Sequence, residues 1–310
     1  TPSSVFVDQP LDIEGWRPTN YTEGFAGRMR LSDAVAKSVN TIAVQVSEFV
    51  GRDKVAEAAH RMGVKSDIPV VPSIALGGSS LSLEELTGAY LPLANGGLGV
   101  RPYAIERIED QNFEVIYQRR AQKPERVLAP DVSENMNHLL SQVMNSGTGA
   151  GASLGRRVAV GKTGTTNDWR DAWFIGYTAQ MTAGVWVGND SAKPMNKVMG
   201  GSLPAEIWRE VMLAAHDGRA EKQKRRMIAA LQNRQSRQSD NKVRRSLKPA
   251  LQLRSPFWER LSTQFFQAAR NPAHRVDGRR HSFKRHQRRS RALLVRRRNR
   301  RGSRYVLRLF

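Results

Sequence analysis

Most of the helical patterns of apolar residues lie within the first 150 positions. Apolar side chains recur at helical spacing from Leu31 to Val50, but Ser38 and Asn40 fall inside this stretch. Ser and Asn favour turns over helix interiors, so we predict a helix, a short break and a second helix. Further helical patterns with their own start or stop signals occupy Lys54 to Met62, Ser82 to Leu93, Pro130 to Met144 and Pro204 to Leu213.

Strand patterns are concentrated in the following part of the chain. Three candidates, Val158 to Val160, Trp173 to Tyr177 and Met181 to Val187, follow one another with short connectors. Short connectors between strands predict an antiparallel meander. Residues 5–30 are interrupted by Pro and Gly and predict irregular structure, with Trp16 and Phe25 anchored on a core. Helices followed by an antiparallel sheet and a closing helix indicate the α+β fold class.

Charge divides the chain into two unlike segments. Residues 1–217 hold 21 basic and 24 acidic side chains, a net charge of −3, whereas residues 218–310 hold 29 basic and 4 acidic, a net charge of +25. The basic residues of the second segment are 24 Arg and 5 Lys. Dense like charge resists folding. We therefore predict a domain over 1–217 and an Arg-rich tail over 218–310 that is disordered or read out of frame.

The amino-acid composition excludes several kinds of functional site. The absence of Cys excludes a disulfide framework, a Cys-ligated zinc site and a thiol nucleophile. No run of 18 apolar residues is present, so we expect no transmembrane helix, and the first residues lack the pattern of a signal peptide. We expect neither a cofactor nor a bound metal ion.

The sharpest local signal is the run from Gly161 to Thr166. We predict that Lys162 ends a strand and points its ammonium into a cleft. The hydroxyls of Thr163 and Thr165 could then hold a carboxylate, and Gly164 would let a substrate backbone lie against the strand. The run therefore predicts a site for an acidic or carboxylate-bearing ligand.

Two nucleotide-binding alternatives fit less well. Five residues separate Gly155 from Gly161, whereas a phosphate-binding P-loop has four between its glycines. The run Gly147 to Gly151 resembles a dinucleotide fingerprint, but it follows a predicted helix rather than a strand. We predict an ordinary loop there.

The order of two short motifs changes the interpretation of both. Ser38-Val39-Asn40 at a helix junction precedes Lys162-Thr163-Gly164 on a strand, an order that resembles the acyl-serine transferases. The resemblance narrows to the transpeptidase domain of class A penicillin-binding proteins of the 1A type. It is carried by Asp8 to Pro10, Trp16 to Tyr21, Ala34 to Thr41, Pro72 to Gly77, Leu86 to Tyr90, Gly161 to Thr166, Asp171 to Tyr177 and Val185 to Asp190.

The resemblance implies a penicillin-binding, β-lactamase-like fold, incomplete here, with a cleft between a helical lobe and the sheet. It implies a peptidoglycan stem peptide ending in D-Ala-D-Ala as substrate, β-lactams as its mimics, and the periplasmic face of the bacterial inner membrane as the location. Ser38 would relay protons, Asn40 would bind the substrate amide and Lys162 would supply positive potential. Thr163 and Thr165 would bind the terminal carboxylate, and the Thr165 N–H would form half of an oxyanion hole.

One motif of the family is missing from its expected place. The nucleophile and its activating base form Ser-x-x-Lys, which should precede Ser38, yet the chain has this pattern only at Ser239 to Lys242, inside the basic tail. We interpret that copy as accidental. We therefore expect a partial domain that begins downstream of the nucleophile and is inactive by itself.

A non-enzymatic alternative places the function in the tail. A segment of net charge +25 would bind nucleic acid or an anionic membrane through counterion release and surface potential. Such polyanion binding would be non-specific, because no nucleic-acid recognition fold is visible in the sequence.

Overall fold

The computed structural model describes residues 1–121, 123–218, 296–298 and 304–306. Helices occupy much of the first 145 positions, and one more helix follows the central sheet. They are α1 (Leu31–Lys37), α2 (Asn40–Val50), α3 (Arg52–Arg61), α4 (Leu83–Ala89), α5 (Leu91–Ala94), α6 (Pro130–Asn145) and α7 (Leu203–His216).

The strands form four small antiparallel groups within the described residues. The pairs are β1 with β2, β3 with β4, and β8 with β9, and the largest group has the order β5-β6-β7. Their bounds are β1 (Val5–Asp8), β2 (Gly27–Arg30), β3 (Arg107–Glu109), β4 (Val115–Gln118), β5 (Val160–Thr165), β6 (Asp171–Tyr177), β7 (Thr182–Gly188), β8 (Arg296–Arg298) and β9 (Arg304–Val306).

Local signals set two of the helix boundaries. The predicted break falls between α1 and α2, and Ser82 caps α4 by accepting a hydrogen bond from the Glu85 N–H at 3.1 Å. The helix predicted through Leu93 is instead split at Tyr90. Pro92 explains the split, because proline donates no backbone hydrogen bond and fits only the first turn of a new helix.

The N-terminal segment is more regular than predicted. Val5 pairs with Arg30 and Asp8 with Gly27, so β1 and β2 form a ladder where irregular structure was expected. Strands of four residues that pair across a long loop leave no periodicity in the sequence, which is why the pattern missed them. Of the two expected anchors, Trp16 is partly buried, whereas Phe25 is 47% exposed, so the prediction is wrong for Phe25.

The central meander is confirmed, but its first strand lies further along the chain than predicted. β5 begins at Val160 and continues to Thr165, so Lys162 lies inside the strand rather than at its end. Val160 pairs with Tyr177 and Thr165 with Ala172 on β6. Gly161 and Gly164 weaken the side-chain signal for a strand, whereas the hydrogen-bonded ladder uses only the backbone.

Helices cover both faces of this sheet. On one face Trp208 of α7 is fully buried, with its ring 5.1 Å from that of Phe174, and its Nε1 donates to the Ala183 carbonyl at 3.0 Å. On the other face Tyr177 donates its hydroxyl to Asn137 of α6 at 2.7 Å. The buried aromatic rings and their hydrogen bonds fix the sheet, and with it β5, against the helices.

The basic tail is described only at β8 and β9, where Arg297 pairs with Tyr305. Its other residues, and with them the predictions of disorder or a shifted reading frame, lie outside the described residues. Within the described ranges, no helix is both long and apolar enough to cross a membrane.

Asp8 fastens the N-terminal loop to the start of α2. It is only 3% exposed and accepts hydrogen bonds from the Thr41 hydroxyl at 2.5 Å, the Ala26 N–H at 2.7 Å and the Asn20 amide at 2.8 Å. Burial alone would raise the pKa of this carboxyl, but the three hydrogen bonds outweigh it and lower the pKa below its ordinary value. The ionised carboxylate therefore stabilises this corner of the fold.

We expect Asp8→Asn to destabilise the chain by about 1–3 kcal/mol at pH 7, because an amide cannot accept all three donors. Urea unfolding measures the loss, and Asp12→Asn, a change at a half-exposed carboxylate, is the matched control. Since the folded pKa lies below 3.8, the difference from wild type should be complete above that pH and disappear as the pH falls through the folded value. A difference independent of pH would contradict this account.

Candidate functional site

The junction of α1 and α2 forms one side of the candidate site. Ser38 ends α1 in the left-handed region, with φ 58° and ψ 47°. Its N–H donates to the Val35 carbonyl at 3.2 Å, and the Val39 N–H donates to the Ala34 carbonyl at 2.9 Å. Non-glycine residues seldom adopt this conformation, so the surrounding contacts must hold Ser38 in it. The turn lets α2 start in a new direction at Asn40.

Strand β5 forms the opposite side. The Lys162 ammonium donates to the Ser38 hydroxyl at 2.8 Å, although the two residues are 124 positions apart in the chain. It also donates to the Thr163 carbonyl at 3.1 Å. The structure thus brings together the two side chains that the sequence singled out separately.

The electrostatics of Lys162 suit proton exchange with Ser38. Burial of the side chain lowers the pKa of its amine from 10.5 to about 8, because the charged form loses hydration. Below pH 8 the ammonium donates to the hydroxyl, and above it the neutral amine can accept a proton. Lys162 can therefore take up or release a proton near neutral pH more readily than an ordinary lysine, and the Ser38 hydroxyl lies within hydrogen-bonding distance of its amine.

The two threonines of β5 are each held by a contact from outside the sheet. The Thr163 hydroxyl lies 2.7 Å from the Thr148 hydroxyl, and Thr165 accepts a hydrogen bond from the Gly200 N–H at 3.0 Å. Residues two apart on a strand share a face, so both hydroxyls can point at one ligand. Gly164 lies between them without a side chain to cover the strand.

Asn40 is the first residue of α2, on the same side as Ser38. Its Nδ2 donates to the Thr19 carbonyl at 2.8 Å, which fixes the plane of the amide. One Nδ2 hydrogen is used in this bond, so a ligand can meet the Oδ1 and the second hydrogen. The sequence identified Asn40, whereas the role of Thr19 as its partner had no sequence signal.

Sequence reasoning also missed Thr148 and Gly200. Thr148 belongs to the glycine-rich run after α6 that was predicted to be an ordinary loop, and Gly200 was not singled out.

Among the residues that the structure describes, no group of three His, Asp or Glu side chains is arranged to hold a metal ion. The polar side chains gathered at the site are hydroxyls, one amide and one amine.

A Lys-Thr-Gly strand facing a Ser-x-Asn helix junction defines the class of acyl-serine transferases. Residues 1–213 match the family model described as "Penicillin binding protein transpeptidase domain". The chain therefore belongs to the transpeptidase domain family of class A, 1A-type penicillin-binding proteins.

Curated relatives support this membership. "Penicillin-binding protein 1A" of Aquifex aeolicus is 38% identical over 204 residues, covering 66% of this chain, and that of Rickettsia typhi is 33% identical over 229 residues, covering 65%. The chain spans 28% and 29% of the lengths of these two relatives. It thus corresponds to less than a third of their sequence.

Solved structures show the same fold. Penicillin-binding protein 1A from Haemophilus influenzae matches with a TM-score of 0.66 and 26% identity, over 72% of this chain and 40% of that one. PonA1 from Mycobacterium tuberculosis in complex with penicillin V matches with a TM-score of 0.63 and 25% identity, over 70% of this chain and 64% of that one.

The lowered pKa of Lys162 predicts a pH-dependent stability difference. Below about pH 8 the buried ammonium destabilises the fold, so Lys162→Met should be more stable than wild type there by on the order of 1–3 kcal/mol. Between about pH 8 and 10.5 the unfolded chain binds a proton that the folded chain has lost, so wild-type stability rises and the gap closes. Chemical denaturation at several pH values measures it.

The control is Lys193→Met, a change at an exposed lysine, which should leave the stability difference from wild type flat across this pH range. A flat profile for Lys162→Met as well would show that its amine is hydrated in the folded chain.

Proposed function

We propose that the α1–α2 junction and β5 line a groove that binds the acyl-D-alanyl-D-alanine end of a peptidoglycan stem peptide, and β-lactams in its place. The observation that carries the proposal is the 2.8 Å hydrogen bond from Lys162 to Ser38, which brings the two motifs together at one site. A peptide end bears a carboxylate, to which the hydroxyls of Thr163 and Thr165 can donate hydrogen bonds while the ammonium of Lys162 adds positive potential. The family, penicillin-binding transpeptidase domains, is named for the binding of β-lactams of this kind.

The β5 side supplies recognition of the terminal carboxylate in this proposal. Thr163 and Thr165 donate their hydroxyl hydrogens to it, and Lys162 adds positive potential. The exposed end of β5 at Thr165 lets its backbone N–H face the scissile carbonyl as half of an oxyanion hole. Gly164 keeps the strand open so that the peptide can lie along it.

The helical side supplies proton transfer and orientation. Asn40 binds the substrate amide. In a site completed by a nucleophilic serine, that serine would gain the acyl group as the acyl–nitrogen bond breaks. The departing D-alanine nitrogen would then take the proton of the Ser38 hydroxyl, and Lys162 would replace that proton through the 2.8 Å hydrogen bond. An amine with a pKa of about 8 gives up its proton far more readily than one at the ordinary 10.5.

The attacking hydroxyl is the part that these residues do not supply. The chain contains Ser-x-x-Lys only at Ser239 to Lys242, outside the described residues. We propose that the chain by itself binds these ligands without forming an acyl-enzyme, since loss of a serine nucleophile lowers turnover by about six orders of magnitude. The site would work at the periplasmic face of the inner membrane, where peptidoglycan is built.

The alternative, polyanion binding by the basic tail, rests on net charge alone, and no contact among the described residues favours it. Retention of a nucleic acid that disappears at moderate salt would report that charge without assigning a function.

Binding and labelling separate the two parts of the proposal. We expect no stoichiometric covalent labelling of the chain by a fluorescent penicillin, but saturable binding of N-acyl-D-Ala-D-Ala in an NMR titration. Lys162→Met should weaken that binding by roughly tenfold or more, because it removes the positive charge that attracts the ligand carboxylate, whereas Lys193→Met should not.

Stoichiometric labelling would overturn the proposed lack of acylation and leave the groove assignment in place. Absence of saturable binding, or binding that Lys162→Met does not change, would overturn the groove assignment itself.

A further inference from the structure

The loop after α6 touches the helical side of the groove through its backbone. The Thr148 N–H donates to the Ala36 carbonyl at 3.0 Å, two residues before Ser38. Gly147 passes so close that a Cβ there would lie 2.3 Å from the same carbonyl oxygen, a separation that real Cβ atoms do not show. Only glycine permits this approach, so the loop is locked to α1 immediately before the Ser38 turn.

The same loop touches β5 through a side chain. The Thr148 hydroxyl lies 2.7 Å from the Thr163 hydroxyl. The backbone carbonyl of Thr148 packs against Gly201, and a Cβ added to Gly201 would lie 2.3 Å from the Thr148 carbonyl oxygen. Thr148 is exposed to solvent, so this contact does not serve to fill a core. One residue thus connects both sides of the groove, its backbone to α1 and its hydroxyl to β5.

Counting hydrogens assigns a direction to the hydroxyl pair. Each threonine hydroxyl has one hydrogen to donate and lone pairs to accept with. A carboxylate can only accept, so Thr163 must give its hydrogen to the ligand when it binds one. The remaining short contact of Thr163 must then be accepted from Thr148, which becomes the donor of the pair.

We propose that Thr148 is a positioning residue for carboxylate recognition, which donates to Thr163 and thereby aims the Thr163 hydrogen at the ligand. This rests on the proposed function of the groove, which it deepens. The glycine-rich run after α6 thus acquires a role in specificity: it favours ligands with a free C-terminal carboxylate over the same ligands esterified.

Two ligands and two matched variants test the assignment in the full chain. The ligands are N-acyl-D-Ala-D-Ala and its methyl ester, and the ratio of their dissociation constants measures carboxylate discrimination. Thr148→Val keeps the shape but loses the hydroxyl, so we expect the acid to bind about fivefold more weakly and the ester unchanged. Thr148→Ser keeps the donor and should restore the wild-type ratio.

A double-mutant cycle separates positioning from mere structural support. Because Thr148 acts through Thr163, the Thr148→Val and Thr163→Val pair should bind the acid no more weakly than Thr163→Val alone. Thermal unfolding of each variant checks its folding, and Thr148→Ala makes the same comparison if Thr148→Val is unstable.

Equal losses for acid and ester, additive effects in the cycle, or no loss at all would overturn the role of Thr148. Those outcomes leave the proposed function standing, since wild type still binds. Failure of wild type to bind either ligand would instead overturn the groove assignment and the role of Thr148 together.

Discussion

The hydrogen bond between Lys162 and Ser38 is the interaction on which the site depends. It joins a strand to a helix junction 124 residues earlier and spans 2.8 Å. Each partner carries a cost in free energy. The backbone of Ser38 has a positive φ, and burial disfavours the charged form of Lys162, which lowers its pKa to about 8. Each cost is offset by the layers that hold α1 and β5 in place.

The packing contacts that hold α1 and β5 in place lie away from the groove. Trp208 and Tyr177 fix the central sheet between α7 and α6, and the Asp8 network ties the N-terminal loop to the start of α2. Rigid support of this kind is what a recognition site needs, because misplacement of a hydroxyl by an ångström removes its hydrogen bond. The polar groups of the groove are therefore positioned mostly by contacts outside it.

Features that depend on neighbouring residues in the sequence were predictable, whereas features that depend on contacts between distant residues were not. Ser38 and Asn40 disrupt a helix by their own turn preference, and Ser82 caps one through Glu85 three residues later, so both boundaries were predictable. β1 and β2 are short strands separated by a long loop, so the sequence between them shows no strand periodicity. β5 contains glycines, which weaken its strand pattern. The contact of Thr148 with Thr163 depends on tertiary packing alone.

The proposal that a peptide carboxylate binds at β5 rests on membership of the penicillin-binding transpeptidase family and on the hydrogen bond between Lys162 and Ser38. A crystal structure of the chain with N-acyl-D-alanyl-D-alanine tests this most directly. The account predicts the ligand carboxylate within about 3 Å of the Thr163 and Thr165 hydroxyls, with its scissile amide beside Ser38 and Asn40. A ligand bound elsewhere, or a Lys162 that turns away from Ser38 in the complex, would contradict it.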